Sequence, residues 1–307
     1  MVNPKATTTS PRVADVIVHA LSSSLDLDVT VTTHRGHATR LGEAARAEGL
    51  DIVLTLGGDG VVNEVVNGLL AEGPGSDVPL LATVPGGSAN VFARSLGLPV
   101  DPVEATGTLL EWLRAGRTRT IGLGRADDRW FVANAGLGID AEIIEAMERK
   151  RARGKAATPL RYVTTSLDAY FRTTDRRHAA LSLSRPGAAA DERIDGLHLA
   201  FVQNTSPWTY LGSRPVNPCP QASFDTGLDV FAIRRMHIPT ALRAVTGMLS
   251  GRWTPKPGDP GLLLWHDQPE FTLESVRPIP MQVDGEATGS IRSVRFTAIA
   301  SALRVVG

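Results

Sequence analysis

Residues 51–70 read DIVLTLGGDGVVNEVVNGLL, and this segment determines the fold class. Residues 51–56 are a mainly apolar run typical of a buried strand, and the run ends at Gly57-Gly58. From Val61 to Leu70, apolar residues recur at helical spacing, which predicts an amphipathic helix. A strand that leads through a glycine turn into a helix is typical of a parallel sheet covered by helices.

The same alternation continues on both sides of this segment. Further strands are predicted at 29–32 and 80–84, and further helices at 12–25, 38–48 and 89–96. The opening residues Met1-Val2-Asn3-Pro4 leave room only for a very short first strand, unless the true start lies upstream. Residues 1–122 are therefore predicted to form an α/β domain with a parallel sheet.

The second part of the chain is predicted to be rich in strands. Strand-like segments separated by Pro, Gly and Asp lie at 131–133, 179–183, 197–203, 228–233, 271–276 and 292–300. Helices are predicted between them at 141–149 and 240–250. This pattern is typical of a mainly antiparallel domain, which we place at residues 123–292.

Composition and charge exclude several classes of protein. The 307 residues contain 32 Lys and Arg and 32 Asp and Glu, and a net charge of zero argues against a nucleic-acid binder. The charge is unevenly divided, because residues 1–122 carry 9 basic and 13 acidic side chains. A single cysteine, Cys219, excludes an intrachain disulfide framework. No apolar run is long enough to span a bilayer and no signal peptide is evident, so we expect a soluble, cytoplasmic protein without a transmembrane segment.

The first glycine-rich loop, Gly57-Gly58-Asp59-Gly60, has the features of a phosphate cradle. Glycines let the backbone approach a ligand closely, and the following helix offers unpaired N–H groups. The Asp59 carboxylate would repel phosphate unless it met Mg²⁺ or accepted a proton from an attacking hydroxyl. Asn63 and Glu64, on the first helical turn, are candidates to support the loop. A tight turn with Asp59 as an N-cap remains the alternative.

A second glycine-rich loop, Pro85-Gly86-Gly87-Ser88-Ala89-Asn90, follows the next predicted strand. Ser88 is suited to cap its helix or to donate a hydrogen bond to phosphate. Two such loops on successive strands of one sheet open onto the same crevice, beyond the carboxyl ends of the strands. The pair therefore favours binding of a nucleotide triphosphate.

Three further motifs carry weaker signals. The segment Gly136-Leu137-Gly138-Ile139-Asp140-Ala141 nearly matches a dinucleotide fingerprint, but residues 149–167 lack the acidic residue that the fingerprint needs. In Met281-Gln282-Val283-Asp284-Gly285-Glu286, two carboxylates fall on one side of an extended backbone, which suits metal binding or proton transfer. A plain hairpin turn is the alternative. The run ERKRARGK at 148–155 is either a solvated surface or a clamp for phosphates or an anionic membrane.

In the same order, the motifs GGDGVVNEVVNGL, PGGSANVFARSLGLP, NAGLGIDAEI and VDGE resemble those of the diacylglycerol kinase catalytic-domain family. That family includes bacterial diacylglycerol kinases and sphingosine kinases, and it is similar in architecture to NAD kinases and phosphofructokinases. The resemblance covers essentially the whole chain. It implies a nucleotide-binding α/β domain and a sandwich-like β-rich domain, with ATP in the cleft between them. It also implies that the chain end, about 293–307, returns to the first domain.

The resemblance also implies roles for individual residues. Those matched to nucleotide binding are Asn3, Lys5, Thr33, Gly57, Gly58, Gly60, Asn63, Glu64, Gly86, Gly87 and Ser88. Asp284 resembles the general base of bacterial members, with Glu286 near Mg²⁺. Asp59 matches the base of the sphingosine kinase branch and is also a candidate metal ligand, while Asp140 matches a position near the lipid headgroup.

Two departures from the family pattern stand out. Val61 replaces the usual threonine near the phosphates, and Asp225-Thr226-Gly227 lacks one acid of a stretch linked to a structural Mg²⁺. The second departure places that structural metal in question.

Together these features predict an ATP- and Mg²⁺-dependent lipid kinase acting on diacylglycerol or a related lipid. We expect it to meet the lipid by peripheral contact at a membrane surface through its second domain, and a homodimer is left open. The alternatives are a soluble-substrate kinase of the NAD kinase type and a non-catalytic lipid- or nucleotide-binding relative.

Overall fold

The computed structural model describes residues 1–4, 6, 9–138, 178–187, 193–251, 255–256 and 258–307. They divide into two compact units, Met1–Leu123 with Ala300–Gly307 and Gly124–Ile299. The predictions made for Lys5, Asp140, the helix at 141–149 and the basic run at 148–155 lie outside the described residues. Within the described residues, no helix has both the length and the apolar character that crossing a bilayer requires.

The first unit alternates helices and strands. Its helices are α1 (Pro11–Ser22), α2 (His37–Ala47), α3 (Asp59–Leu69), α4 (Val91–Ser95) and α5 (Pro102–Arg114). Its strands are β1 (Ile52–Gly57), β2 (Leu80–Pro85) and the start of β3 (Thr118–Ala126). The elements predicted around the two glycine loops are therefore present, and α5 is an element that the pattern analysis did not identify.

The sheet of the first unit is parallel, as the alternation predicts. β1 and β2 pair in register from Ile52–Leu80 to Gly57–Pro85. The opening strand is reduced to Val2, which bridges Leu56 and Val31 in parallel orientation. In the part of the chain that the structure describes, the predicted strand at 29–32 is limited to that bridge at Val31.

The core of the first unit lies between α1, α5 and the sheet. Ile17 and Leu21 of α1 and Leu109 of α5 are fully buried against apolar side chains of β1 and β2. Burying such side chains contributes roughly 1.5–3 kcal/mol each. This packing holds the carboxyl ends of β1 and β2, where both glycine loops begin, in a fixed position.

The second unit is dominated by antiparallel strands. Its elements are β4 (Arg129–Phe131), β5 (Asn134–Leu137), β6 (Leu181–Ser184), β7 (Ile194–Leu197), β8 (Leu199–Gln203), β9 (Thr209–Leu211), β10 (Arg214–Val216), β11 (Leu228–Ile233), α6 (Ile238–Ser250), β12 (Leu262–Gln268), β13 (Glu270–Val283) and β14 (Glu286–Val306). The last strand ends in the first unit, where Val305 pairs with Leu81 of β2 in parallel orientation.

The strand order of the second unit is β14-β13-β5-β8-β11-β12, with β6 also on β13 and β7 on β6. One core contains Phe131, Phe271 and Phe296, which are fully buried. A second core lies beneath α6 and includes Trp208 and Phe231. A parallel α/β unit followed by a β-rich unit confirms the predicted fold class.

Candidate functional site

The two glycine loops approach each other so closely that side chains would not fit between them. A Cβ on Gly87 would lie 2.6 Å from the Cα of Gly58, and a Cβ on Gly58 would lie 3.1 Å from the Cα of Gly87. The backbone N–H of Gly86 donates to the carbonyl oxygen of Gly57 over 2.7 Å. The glycines thus form one continuous backbone surface at the carboxyl ends of β1 and β2.

Asp59 joins the two loops through its carboxylate. Oδ2 accepts the backbone N–H of Val91 at 3.0 Å, and Oδ1 accepts that of Phe92 at 2.9 Å. Burial of the carboxylate raises the pKa of Asp59 above its ordinary value, although these backbone hydrogen bonds lower it. Asp59 therefore caps α4 rather than its own helix. Its role in metal binding or proton transfer stays a prediction that this contact does not support.

The N-terminus of α3 is suited to bind an anion. Gly58 occupies the N-cap position, so no side-chain hydrogen bond caps this end of the helix. Gly60 lies in the first turn. Helix N-termini offer unpaired N–H groups and the positive end of the helix dipole. Asn3 is adjacent, since its backbone N–H donates to Leu56 O at 3.0 Å and its Cβ lies 3.4 Å from the position a Cβ on Gly57 would take.

Glu64 connects α3 to the start of α2. Its Oε1 accepts the backbone N–H of Gly36 at 2.8 Å, and its Oε2 accepts that of Ala38 at 3.1 Å. Asn63 is fully buried, and Asn67 Nδ2 donates to its backbone oxygen at 2.9 Å. These contacts fit the predicted supporting role of both residues, and direct contact with a nucleotide stays a prediction.

Thr33 and Ser88 are exposed. The Thr33 hydroxyl lies 2.8 Å from Nδ1 of His34 and 3.2 Å from Nδ1 of His37, whose rings are stacked.

Asn90, which the sequence analysis did not select, closes the second loop. Its Oδ1 accepts the Gly87 N–H at 2.7 Å, and its Nδ2 donates to Gly87 O at 2.7 Å. The signal in the sequence was an Asn at the end of the glycine loop, since Asn tolerates the left-handed φ of 49° that it adopts there.

In the second unit, Asp284 and Gly285 form the two-residue turn between β13 and β14. Their φ values are +47° and +79°, which is the geometry of the Asp-Gly hairpin turn. The hairpin alternative is therefore what the structure contains. The turn also carries a buried carboxylate, because Asp284 is only 6% exposed.

The Asp284 carboxylate is held by three consecutive backbone N–H groups. Oδ2 accepts from Val132 at 2.8 Å, and Oδ1 accepts from Ala133 at 2.9 Å and Asn134 at 3.0 Å. The Asp284 N–H donates back to Asn134 O at 2.8 Å. Residues 132–134 and the turn are therefore fixed to each other around this side chain.

A buried amide network lies behind the turn, and the sequence analysis missed it. Gln282 Nε2 donates to Asn134 Oδ1 at 3.1 Å, and Gln282 Oε1 accepts the Gly285 N–H at 2.8 Å. Asn134 Nδ2 donates to the Trp208 carbonyl oxygen at 2.9 Å. A polar Gln within the buried run Met281-Gln282-Val283 was the signal, since buried amides need partners.

Glu286 follows the turn and pairs with Arg129, which the sequence analysis also did not select. Arg129 Nη2 lies 3.2 Å from Glu286 Oε2, and the Glu286 side chain is 20% exposed. This carboxylate is more accessible to solvent than that of Asp284. It is therefore the better placed of the two to meet a ligand or a cation.

The donor groups of the described residues differ in how well they suit a metal ion. Among the described residues, no three His, Cys, Asp or Glu side chains cluster closely enough to hold a metal ion. Both oxygens of Asp59 face backbone N–H groups, which does not suit a cation ligand. Glu286 fits better, since Mg²⁺ in kinase sites usually binds one or two carboxylates together with substrate phosphates.

Comparison with solved structures identifies two similar folds. A diacylglycerol kinase from Bacillus anthracis str. Sterne superposes with a TM-score of 0.71 over 99% of this chain and 94% of its own, at 19% identity. An NAD kinase from Archaeoglobus fulgidus, solved in complex with ATP, gives a TM-score of 0.51 over 100% of this chain and 92% of its own, at 11% identity. These similarities concern the fold alone.

Comparison of sequences identifies the family. The model for the diacylglycerol kinase catalytic domain matches residues 1–126. A probable lipid kinase YegS-like protein of Pseudomonas aeruginosa is 30% identical over 282 residues, covering 91% of this chain and 84% of that protein. A diacylglycerol kinase of Bacillus subtilis is 34% identical over 131 residues, covering 42% of this chain and 41% of that protein. The chain belongs to the diacylglycerol kinase catalytic-domain family.

Proposed function

We propose that this protein is an ATP-dependent lipid kinase that phosphorylates a hydroxyl group of diacylglycerol or a related lipid. The observation that carries the proposal is the shared backbone surface of the two glycine loops, where Gly58 and Gly87 leave no room for side chains. Such a surface suits the crowded phosphates of a nucleotide. Membership of a family of lipid kinases supports a lipid as acceptor.

In this proposal the first unit binds the nucleotide. The loops at Gly57–Gly60 and Gly86–Ser88 contact the β- and γ-phosphates through backbone N–H groups, and α3 directs its positive end toward them. Asn3 and Thr33 contact the rest of the nucleotide. Enzymatic phosphoryl transfer depends mainly on positioning and charge neutralisation, so rigid loops suit it. Mg²⁺ bound to the phosphates would supply further neutralisation, and Glu286 is its candidate protein ligand only where Asp284 or Asp59 accepts the proton instead.

The second unit supplies the group that accepts the proton. The lipid oxygen forms a bond to the γ-phosphorus, the bond from that phosphorus to the β–γ bridging oxygen breaks, and the hydroxyl proton moves to a carboxylate. Glu286 is our first candidate for that carboxylate because its side chain is partly exposed. Asp284, held by three backbone donors, is the second candidate, and Asp59 is the third.

The proposal also covers where the protein works. We expect a cytoplasmic protein that associates transiently with a membrane, because its proposed acceptor is embedded in a bilayer.

The test is transfer of labelled γ-phosphate from ATP to diacylglycerol, sphingoid bases, phosphatidylglycerol and NAD. We expect labelling of a lipid, with diacylglycerol first. Labelling of NAD alone would identify a soluble-substrate kinase and overturn the proposal. ATP binding without labelling of any acceptor would identify a non-catalytic relative, which also overturns it.

A matched pair of variants tests the proton acceptor. Glu286→Gln is expected to lower kcat by roughly 10²-fold or more, the usual effect of losing a general base. Glu270→Gln is the control, since Glu270 is also a partly buried carboxylate of the second unit that pairs with an arginine, Arg295, at 2.7 Å. Equal activity in both variants would eliminate Glu286 as the base.

A further inference from the structure

The outer face of α6 exposes an apolar stripe. Ile238, Leu242 and Val245 are 54%, 61% and 52% exposed, and their spacing of four and three residues places them on one side of the helix. The opposite side is buried, with Ala244 and Met248 in the core beneath the helix. The helix therefore buries one apolar side in the core and exposes a second apolar side to solvent.

The surroundings of this stripe are basic. From Val230 to Gly258 the sequence contains no Asp or Glu. Arg234, Arg235 and Lys256 are exposed there, and in the described part of the chain no carboxylate forms an ion pair with them. An apolar stripe bordered by cations is the arrangement found in helices that lie in a membrane interface.

Asp259, the first acidic residue after this acid-free stretch of sequence, is already engaged. Arg243 donates from Nη2 to both oxygens of Asp259 at 2.8 Å, and Oδ1 of Asp259 also accepts the N–H groups of Gly261 and Leu262. Asp259 thus fixes its own turn against α6 and its charge is compensated. The turn also includes Lys256, whose carbonyl oxygen accepts the Asp259 N–H. Among the described residues that border the stripe in sequence, the basic charges of Arg234, Arg235 and Lys256 are therefore not offset by Asp259.

We propose that the outer face of α6 docks on a bilayer surface containing anionic lipids, with Ile238, Leu242 and Val245 entering the interface and Arg234, Arg235 and Lys256 meeting headgroup phosphates. Apolar insertion and basic attraction act together in such helices. A second copy of this chain fits less well, because a symmetric contact would bring the same basic groups together. The inference rests on the proposed function, in which the acceptor is a membrane lipid.

The test is cosedimentation of the full chain with vesicles of phosphatidylcholine, with and without phosphatidylglycerol. The double variant Leu242→Gln, Val245→Gln removes the apolar atoms but keeps helix propensity. We expect it to weaken binding to the anionic vesicles about tenfold. Val276→Gln in β13 is the control, since Val276 is 77% exposed but lies outside α6. Equal binding of the double variant and the wild type would overturn the docking proposal.

A second variant tests the charge and does not touch the helix. Arg234→Gln, Arg235→Gln is expected to weaken binding about tenfold or more, and added salt should weaken wild-type binding in the same way. If the Leu242 and Val245 variant instead changes only the oligomeric state on size exclusion, the stripe is an interface between copies and the proposal is wrong.

A kinase assay separates this inference from the proposed function. The Leu242 and Val245 variant should phosphorylate a short-chain, monomeric diacylglycerol at the wild-type rate and a vesicle-embedded one about tenfold more slowly. If the wild type phosphorylates no lipid in either form, the proposed function fails, while sedimentation still decides whether α6 binds the bilayer. The docking proposal fails and the kinase function stands if vesicle-embedded lipid is phosphorylated at the wild-type rate both by Leu242→Gln, Val245→Gln and by Arg234→Gln, Arg235→Gln.

Discussion

Single carboxylates in this protein hold distant backbone segments together. The Asp284 carboxylate accepts hydrogen bonds from the N–H groups of residues 132–134. The Asp59 carboxylate accepts them from the N–H groups of Val91 and Phe92. A carboxylate that accepts several backbone donors is costly to replace, because the donors are then buried without partners. Loss of activity on mutation of either residue therefore has two possible causes, structural and chemical.

Asp284→Asn is expected to lower the free energy of unfolding by about 1–3 kcal/mol, because the new amide NH₂ faces at least one backbone N–H in either orientation. Urea denaturation measures the change. Asp128→Asn is the control, since the Asp128 side chain is fully exposed and pairs with Arg125 only at the surface. We expect that variant to stay within about 0.5 kcal/mol of the wild type. An inactive Asp284→Asn of wild-type stability would instead assign the carboxylate a purely chemical role.

For helices and strands, the sequence predicted those bounds that are determined by residues adjacent in the chain. β1 and α3 begin and end within two residues of their predicted bounds, because apolar periodicity and the glycine turn between them are local signals. The Asp284-Gly285 hairpin was also foreseen as an alternative. The helix α5 was missed although Asp101, followed by Pro102, caps it in the usual way.

Contacts between remote elements could not be predicted in the same way. The partners of Asp284 lie 150–152 residues away, and those of Asp59 lie 32–33 residues away. Nothing local to the Asp59 loop distinguishes a residue that caps its own helix from one that caps the next. The amide network of Gln282 and Asn134 depends on the same pairing of distant strands.

The ion pair between Arg46 of α2 and Asp77 predicts that the stability of the fold depends on pH. Arg46 of α2 donates to the carbonyl oxygens of Leu69, at the end of α3, and Gly73, in the loop that follows. Its Nε lies 2.6 Å from Asp77 Oδ2. The hydrogen bond from Arg46 lowers the pKa of Asp77 below its ordinary value of 3.8. A lowered pKa means that the pair stabilises the fold above about pH 4 and that this stabilisation is lost as the pH falls further.

Asp77→Asn should therefore make the melting temperature less sensitive to acid below pH 4 than in the wild type. Thermal unfolding followed by circular dichroism over a pH series measures this slope. Asp15→Asn on the exposed face of α1 is the control, because the described residues show no ion pair at Asp15. A wild-type slope in Asp77→Asn would show that the ion pair does not contribute to acid stability.

At the scale of the whole molecule, the proposed tasks divide between the two units. The glycine loops belong to the first unit, and both α6 and the Asp284 turn belong to the second. A net charge of zero conceals this division, since residues 1–122 carry four more acidic than basic side chains and the rest carry the opposite excess. Nucleotide binding and membrane docking are therefore expected to respond to separate mutations.

Ligand-dependent stability measures the nucleotide-binding part in the full chain. A ligand that binds only the folded state stabilises it by about 2.7 kcal/mol at a concentration of 100 Kd, so ATP should raise the melting temperature. Gly87→Ala should abolish that shift, because its Cβ would lie 2.6 Å from Gly58 Cα and separate the loops. Gly107→Ala, in open space on α5, should stabilise the fold by about 0.5–1 kcal/mol and retain the shift.

The shift should also survive Leu242→Gln, Val245→Gln, whose changes lie in the other unit. Loss of the ATP shift in that variant would contradict the division of tasks, and retention of the shift in Gly87→Ala would remove the glycine loops as the phosphate site.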